Sequence, residues 1–243
     1  MRFLYVFVLA ALFIACENVG QNNTTGDVIN VTPPDTLAYI VETIRKDEPN
    51  CIPSDENPCA YFEAKYVKVT DGDAEYTIES INEQLIELLR GKEYTNVVAY
   101  ANGFIEEYLT EKRDLENTMP WATTYEQNVL RNDSTVFVVA TNFYSYTGGA
   151  HGYYATIYEN YDRLSGKLIE LQDLFEPGFE NRLNEVGEQY FRRSQKLAVN
   201  RPLDELFSFE NNTFELPDNF ALTEEGIQFI FNPYEIASYA QGQ

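Results

Sequence analysis

Val136-Phe-Val-Val-Ala-Thr-Asn-Phe-Tyr-Ser-Tyr-Thr-Gly-Gly-Ala-His-Gly-Tyr-Tyr-Ala-Thr-Ile-Tyr-Glu-Asn-Tyr161 is the stretch that decides the architecture of this chain. β-Branched and aromatic residues flank the Gly148-Gly149 pair on both sides, the pattern of a β-hairpin. With the two glycines as the whole turn, Tyr146 stands opposite His151, Tyr144 opposite Tyr153, and Asn142 opposite Ala155. Side chains alternate faces along a strand. This register therefore puts Tyr144, Tyr146, His151 and Tyr153 on one face and Phe143, Tyr154 and Tyr158 on the other. His151 is the only histidine of the chain. The grouping depends on the register, because a slip of one residue sends His151 to the opposite face.

Working outward, Met119 to Arg131, Thr135 to Tyr146 and Ala150 to Asp162 read as three consecutive strands. The short turns between them, Asn132-Asp133 and Gly148-Gly149, make an antiparallel meander. Upstream, Ile78, Ile81, Leu85 and Leu88 recur at helical spacing, with Gly91 as a stop. Val97, Ala101, Phe104, Ile105 and Tyr108 repeat the pattern in a second helix capped by Thr95 or Asn96. Both stripes read as core-facing. Leu37 to Arg45 and Ala60 to Thr70 precede them as strands. Asp71-Gly-Asp-Ala-Glu75 is a turn: a calcium loop of the EF type needs glycine sixth and glutamate twelfth, and Tyr76 and Asn82 stand there.

Downstream, Asp162 to Gly166 is a hairpin turn leading into Lys167 to Leu171, and Asp173-Leu-Phe175 is a short turn. Phe179, Leu183, Val186, Tyr190 and Leu197 mark a third helix. Phe214 to Leu222 and Gly226 to Phe231 form a last hairpin. Runs of helices and of strands without βαβ alternation predict an α+β fold, with helices packed on an antiparallel meander. Two contiguous modules are expected, 37–163 and 164–243.

Residues 1–15 read as a targeting segment: Arg2, an apolar run from Phe3 to Ile14, then Ala15. The run is too short to span a bilayer, which takes about 20 residues as a helix. The ending Phe13-Ile14-Ala15-Cys16 resembles the lipobox of bacterial lipoproteins, which predicts a lipidated Cys16. An ordinary signal with Cys16 incidental is the other reading. Residues 16–36 lack periodicity and read as a flexible tether. Lipidation of Cys16 leaves Cys51 and Cys59 as an even pair in an oxidising compartment, and a disulfide is expected. Two cysteines with one distant histidine are too few for zinc. No metal or cofactor is predicted.

Seventeen basic against 39 acidic residues give a net charge of −22, or −23 once Arg2 leaves with the signal. Such a charge repels nucleic acid and anionic headgroups and favours cationic partners. Solubility alone is the plainer reading of an acidic surface.

Four segments, taken together, resemble a known family. They are Tyr146-Thr-Gly-Gly-Ala-His-Gly152, Asn160-Tyr-Asp-Arg-Leu-Ser-Gly-Lys167, Leu171-Gln-Asp-Leu-Phe175 and Phe231-Asn-Pro-Tyr-Glu-Ile-Ala-Ser-Tyr-Ala-Gln-Gly242. They are similar to the extracytoplasmic domain of unknown function shared by the RsiV anti-sigma factor and the PdaC polysaccharide deacetylase. The similarity spans roughly Cys51 to Gly242. In RsiV the domain binds lysozyme and occludes its active site, and in PdaC the chemistry belongs to a separate metal-dependent domain. What the resemblance implies here is therefore a recognition domain, and neither sigma-factor control nor deacetylation carries over.

No Gly-x-Ser-x-Gly elbow accompanies His151, and neighbouring acids such as Glu106-Glu107 and Glu224-Glu225 cannot face each other across a cleft as glycosidase carboxyls do. No catalytic residue is assigned. His151 either fixes a tight turn or touches a protein or glycan. Tyr144, Tyr146 and Tyr153 are recognition candidates, since tyrosine pairs large contact area with a polar tip; cross-strand packing is the competing role. The expected function is a lipid-anchored recognition protein of the bacterial envelope, periplasmic or at the outer membrane, binding a cationic protein such as lysozyme, or cell-wall glycan. An envelope hydrolase or deacetylase acting on peptidoglycan and a structural lipoprotein are the alternatives.

Overall fold

In the computed structural model, five strands make one sheet in the order β1-β2-β3-β4-β5: β1 Ala38–Asp47, β2 Tyr61–Asp71, β3 Ala122–Asn132, β4 Val136–Tyr146 and β5 Tyr153–Asp162. The structure describes residues 35–54, 58–90, 93–115 and 118–241. The expected signal segment 1–15, the expected lipidation site Cys16 and residues 17–34 of the expected tether lie outside the described residues. No helix among the described residues is long and apolar enough to cross a membrane.

The sheet is α+β in class, as the sequence predicts, and its β3-β4-β5 portion is the expected antiparallel meander. One pairing differs. β2 and β3 run parallel, from Tyr61 opposite Ala122 to Lys65 opposite Glu126. The cause is connective: two helices lie between these strands, and a crossover of that length brings the chain back in the same direction. The ladder stops at Lys65, and the side chain of Gln127 replaces it. Its Oε1 accepts the Val67 N–H at 3.0 Å, while Nε2 donates to the Leu85 carbonyl and Thr141 Oγ1, each at 3.2 Å. A buried amide with all of these partners satisfies the backbone that the diverging strands leave open.

Both helices cover one face. α1 (Glu75–Arg90) buries Thr77, Ile81, Leu85 and Leu89; Ile81 and Leu85 pack against Val67, Val69, Phe137, Val139 and Tyr161, and Leu89 joins Phe62, Ala64 and Tyr66. Leu89 occupies the place predicted for Leu88, because the stripe keeps a four-residue step to the helix end. α2 (Val97–Asp114) buries the five residues read from its spacing, Val97, Ala101, Phe104, Ile105 and Tyr108. They pack on Phe62, Ala64, Tyr66, Trp121 and Tyr125. Asn96 is the cap, its side chain accepting the Ala99 N–H at 2.8 Å. Full burial of one such leucine or phenylalanine stabilises by about 1.5–3 kcal/mol.

The opposite face is covered at its β4-β5 end by a two-stranded hairpin, β6 Phe220–Thr223 and β7 Gly226–Phe229. Ala221 and Leu222 meet Val136, Val138, Tyr158 and Ile169 there. The first strand of this hairpin is shorter than predicted, because Phe214 turns away into a cluster with Phe207, Phe209, Phe191 and Phe231. Phe191 belongs to α4 (Glu180–Ser194), the expected third helix, which follows the short α3 (Leu171–Leu174). Lys167 to Leu171 contributes only one bridge, Leu168 with Tyr161.

Asparagine amides tie the C-terminal part to the edge of β5. Asn219 Oδ1 accepts the Tyr158 N–H at 2.9 Å and its Nδ2 donates to the Thr156 carbonyl at 2.6 Å. Asn232 Oδ1 accepts the Thr156 N–H at 2.8 Å. Asn160 reciprocates, donating to the Phe220 carbonyl and accepting the Leu222 N–H, both at 2.7 Å. These primary amides present a donor and an acceptor with peptide-like geometry, so each stands in for a stretch of neighbouring strand.

Candidate functional site: an aromatic shelf at the hairpin tip

The connection between β4 and β5 is longer than the two glycines. Pairing ends at Ser145 opposite Tyr153, and Tyr144 lies opposite Tyr154, Phe143 opposite Ala155, and Asn142 opposite Thr156. The register is thus one residue away from the predicted one, and the grouping of faces changes with it. Tyr153 joins Phe143, at 6.3 Å between ring centroids. Tyr144 shares its face with Tyr154. Gly148 and Gly149 both have positive φ, at 104° and 88°, a backbone region open to glycine. A loop with two such residues and four more around them replaces the tight turn.

Within that loop His151 makes three contacts. Its Nδ1 lies 2.9 Å from the Gly152 carbonyl and its Nε2 lies 3.2 Å from the Tyr234 hydroxyl. A carbonyl only accepts, so Nδ1 carries the proton and Nε2 accepts from Tyr234. The His151 ring stacks on Tyr239 at 4.1 Å. Tyr154 meets Tyr239 edge-on at 5.3 Å, and Tyr234 stands 5.9 Å from it. Tyr144 lies over Gly152: a Cβ on that glycine would come within 2.5 Å of the Tyr144 ring. Tyr146 faces the loop itself, its hydroxyl donating to the Gly149 carbonyl at 3.0 Å.

The result is a shelf of Tyr144, His151, Tyr154, Tyr234 and Tyr239. Of the four predicted residues it takes Tyr144 and His151, whereas Tyr146 braces the loop and Tyr153 lies on the other face. Tyr234 and Tyr239 are additions. Their sequence signal is the segment Phe231 to Gly242, which carries part of the family resemblance but does not reveal that Asn232, Tyr234 and Tyr239 fold back onto the hairpin. Asn232 anchors this segment on Thr156, and the backbone turns sharply at Tyr234, where φ is 74° and the N–H donates to the Ala237 carbonyl at 3.1 Å. Tyr144 and Tyr234 remain exposed. Loss of hydration raises the pKa of the Tyr239 hydroxyl, with smaller contributions from Tyr154, Tyr144 and Tyr234 around it.

Elsewhere, Cys51 and Cys59 form the expected disulfide, with Cα atoms 5.9 Å apart. Among the described residues Glu48 and these two cysteines are the one group spaced for a metal ion, within 4.8 Å of one another. Thiolate is the metal-binding form of cysteine, so the oxidised pair has no ligand to offer. Glu159, on β5, has one carboxylate oxygen buried without a partner. Burial pushes its pKa up to about 7, against a smaller lowering by the Tyr161 hydroxyl, which donates to Oε1 at 2.8 Å.

The protein is thus an α+β domain whose hairpin tip and C-terminal segment close on each other through aromatic rings. Residues 54–154 match the family model of the deacetylase PdaC, and residues 172–243 match that of a protein of unknown function, DUF3298. The chain combines PdaC-like and DUF3298 regions, as the resemblance implied, and the shelf is assembled from both: Tyr144, His151 and Tyr154 from the first, Tyr234 and Tyr239 from the second. Two crystal structures share the fold. A DUF3298 family member from Bacteroides fragilis aligns with a TM-score of 0.71 at 21% identity, covering 87% of this chain and 89% of that one. A DUF3298 family protein from Pseudomonas aeruginosa aligns at 0.66 and 20% identity, covering 85% and 88%. No protein of curated function matches.

Proposed function

We propose that this chain is a lipid-anchored recognition protein of the bacterial cell envelope, and that the aromatic shelf binds a cationic protein such as a lysozyme. The observation that carries this reading is the convergence of the Tyr146–Gly152 and Phe231–Gln241 segments on exposed tyrosine rings. Large rings with polar tips, held by a stacked histidine, suit a protein contact. A net charge of −22 adds long-range attraction for a basic partner and speeds encounter. The targeting segment and Cys16 support the envelope and the anchor.

Calorimetry with a lysozyme at low and high salt tests the reading. Tight binding that inhibits the enzyme, survives salt and falls with Tyr234→Ala supports it. Heat that vanishes with salt signifies charge attraction alone and counts against it. The description of the first matched family as a deacetylase supports a second reading, action on peptidoglycan. Release of acetate from peptidoglycan fragments would favour that reading over the first.

A further inference from the structure

The sheet has two edges, and they are built differently. On β5 outward backbone groups from Thr156 to Asp162 are engaged: the Thr156 N–H and carbonyl and the Tyr158 N–H by Asn219 and Asn232, the Asp162 N–H by Lys167, and the Asn160 carbonyl by Ile169. On β1 they are open, since among the described residues this strand pairs with β2 alone. An open edge with apolar side chains is a template for another strand, and proteins ordinarily blunt it with charge or proline. On β1 the charges begin only at Glu42, and the first part of the strand carries none. Tyr39, Ile40 and Val41 are 41%, 49% and 55% exposed, consecutive along the edge and so displayed on both faces. The charges of β1, Glu42, Arg45, Lys46 and Asp47, cancel, leaving a neutral apolar strip on a chain of net charge −22.

We propose that β1 is a self-association edge: two copies of this chain pair their β1 strands antiparallel about Ile40 and join their sheets into one. In this register Ile40 meets its own counterpart on one face. Tyr39 meets the second copy's Val41, twice, on the other. Ala38 stands opposite Glu42, so no like charges face each other. Aromatic and β-branched cross-strand pairs are the stabilising unit of such a contact. A second copy fits better than an unrelated cationic segment, because the strip is uncharged and the apolar triplet complements itself when reversed. The contact is isologous and closes on a two-fold axis. The sealed β5 edge stops further growth, so the product is a dimer and not a fibre.

The sign of the salt effect separates this contact from charge attraction. Two copies of the same acidic chain repel, and salt screens that repulsion as the Debye length shrinks from about 30 Å at 0.01 M to about 8 Å at 0.15 M. Sedimentation of the full chain over a concentration series is expected to show a monomer–dimer equilibrium that tightens with salt. Ile40→Lys and Val41→Lys should each abolish the dimer while leaving circular dichroism and thermal midpoint unchanged, both side chains being half exposed. Ile40→Cys should give a cross-linked dimer under mild oxidation, and Thr43→Cys should not. A monomer at every concentration and ionic strength, a dimer indifferent to Ile40→Lys, or growth into larger polymers overturns the proposal. None of these outcomes depends on what the shelf binds.

Discussion

The imidazole of His151 and the ring of Tyr239 lie 4.1 Å apart and 17° from parallel, joining a loop of the main sheet to the C-terminal end of the chain. Neither ring is held by its own element alone. The stack is the link through which the two segments fix each other.

His151→Ala and Tyr239→Ala should therefore each lower stability, and the pair should be coupled. A double-mutant cycle by urea unfolding is expected to give a coupling of about 0.5–1.5 kcal/mol, the range of aromatic pairs. Additive losses would mean that each ring packs elsewhere and that the stack contributes nothing.

Gly152 lies under the outer end of the Tyr144 ring, which is exposed and must swing aside to admit a methyl group. Gly152→Ala should cost below about 1 kcal/mol, less than overpacking of a closed core. The cost should shrink when Tyr144→Ala is added, because the obstructing ring is then gone. Thermal unfolding of the three variants measures this, and an unchanged cost in the double variant would place the strain in the backbone instead.

Local signals carried much of this fold. The spacing of Val97, Ala101, Phe104, Ile105 and Tyr108 fixes the buried face of α2 because helical period and burial coincide, and Asn96 is legible as a cap from its residue type. The parallel pairing of Tyr61 with Ala122 is not legible, since partner choice across two helices leaves no local trace. Gly148-Gly149 marks the hairpin, but two glycines suit both a two-residue turn and a wider loop, and only that difference sets the faces of Tyr144 and Tyr153. The asparagine anchors are hidden for another reason: Asn219 and Asn232 carry the composition of turns, and their role depends on a strand edge far along the chain.

The pKa of Glu159 is pushed up to about 7 from 4.5 by burial. The folded state thus holds this proton more tightly than the unfolded one. Below about pH 4.5 the group has no effect on stability. As pH rises toward 7 the protein loses stability, by a total of roughly 3 kcal/mol. Glu159→Gln should remove that slope and be the more stable form at pH 8, with the difference shrinking toward pH 4.5. Equal pH dependence in denaturant titrations of the two proteins would show that the carboxyl is hydrated.

The Cys51–Cys59 disulfide closes a loop of sequence separation 8. Restraining so short a loop in the unfolded chain stabilises by about 2–3 kcal/mol in the entropy model. The Cys51→Ala/Cys59→Ala protein, compared with the oxidised parent in urea, should show that loss. Dithiothreitol should destabilise the parent and leave the variant unchanged.

Asn232 offers the most direct test of how the shelf is held. Its side chain is 8% exposed, accepts the Thr156 N–H at 2.8 Å and donates to the Thr156 carbonyl at 3.1 Å. Asn232→Leu keeps the bulk and removes both hydrogen bonds, taking from the Thr156 N–H its Asn232 acceptor while the Thr156 carbonyl keeps Asn219. Loss of the N–H contact costs about 1–3 kcal/mol when the group stays dry. The sheet behind β5 is held by β4 and the helices, so the expected response is local. Hydrogen exchange at Thr156 should accelerate, and Tyr234 and Tyr239 should release His151, while the β2-β3-β4 amides keep their protection. Global unfolding, with all amides exchanging together, would show instead that the C-terminal segment is part of the cooperative core and that the shelf cannot open without it.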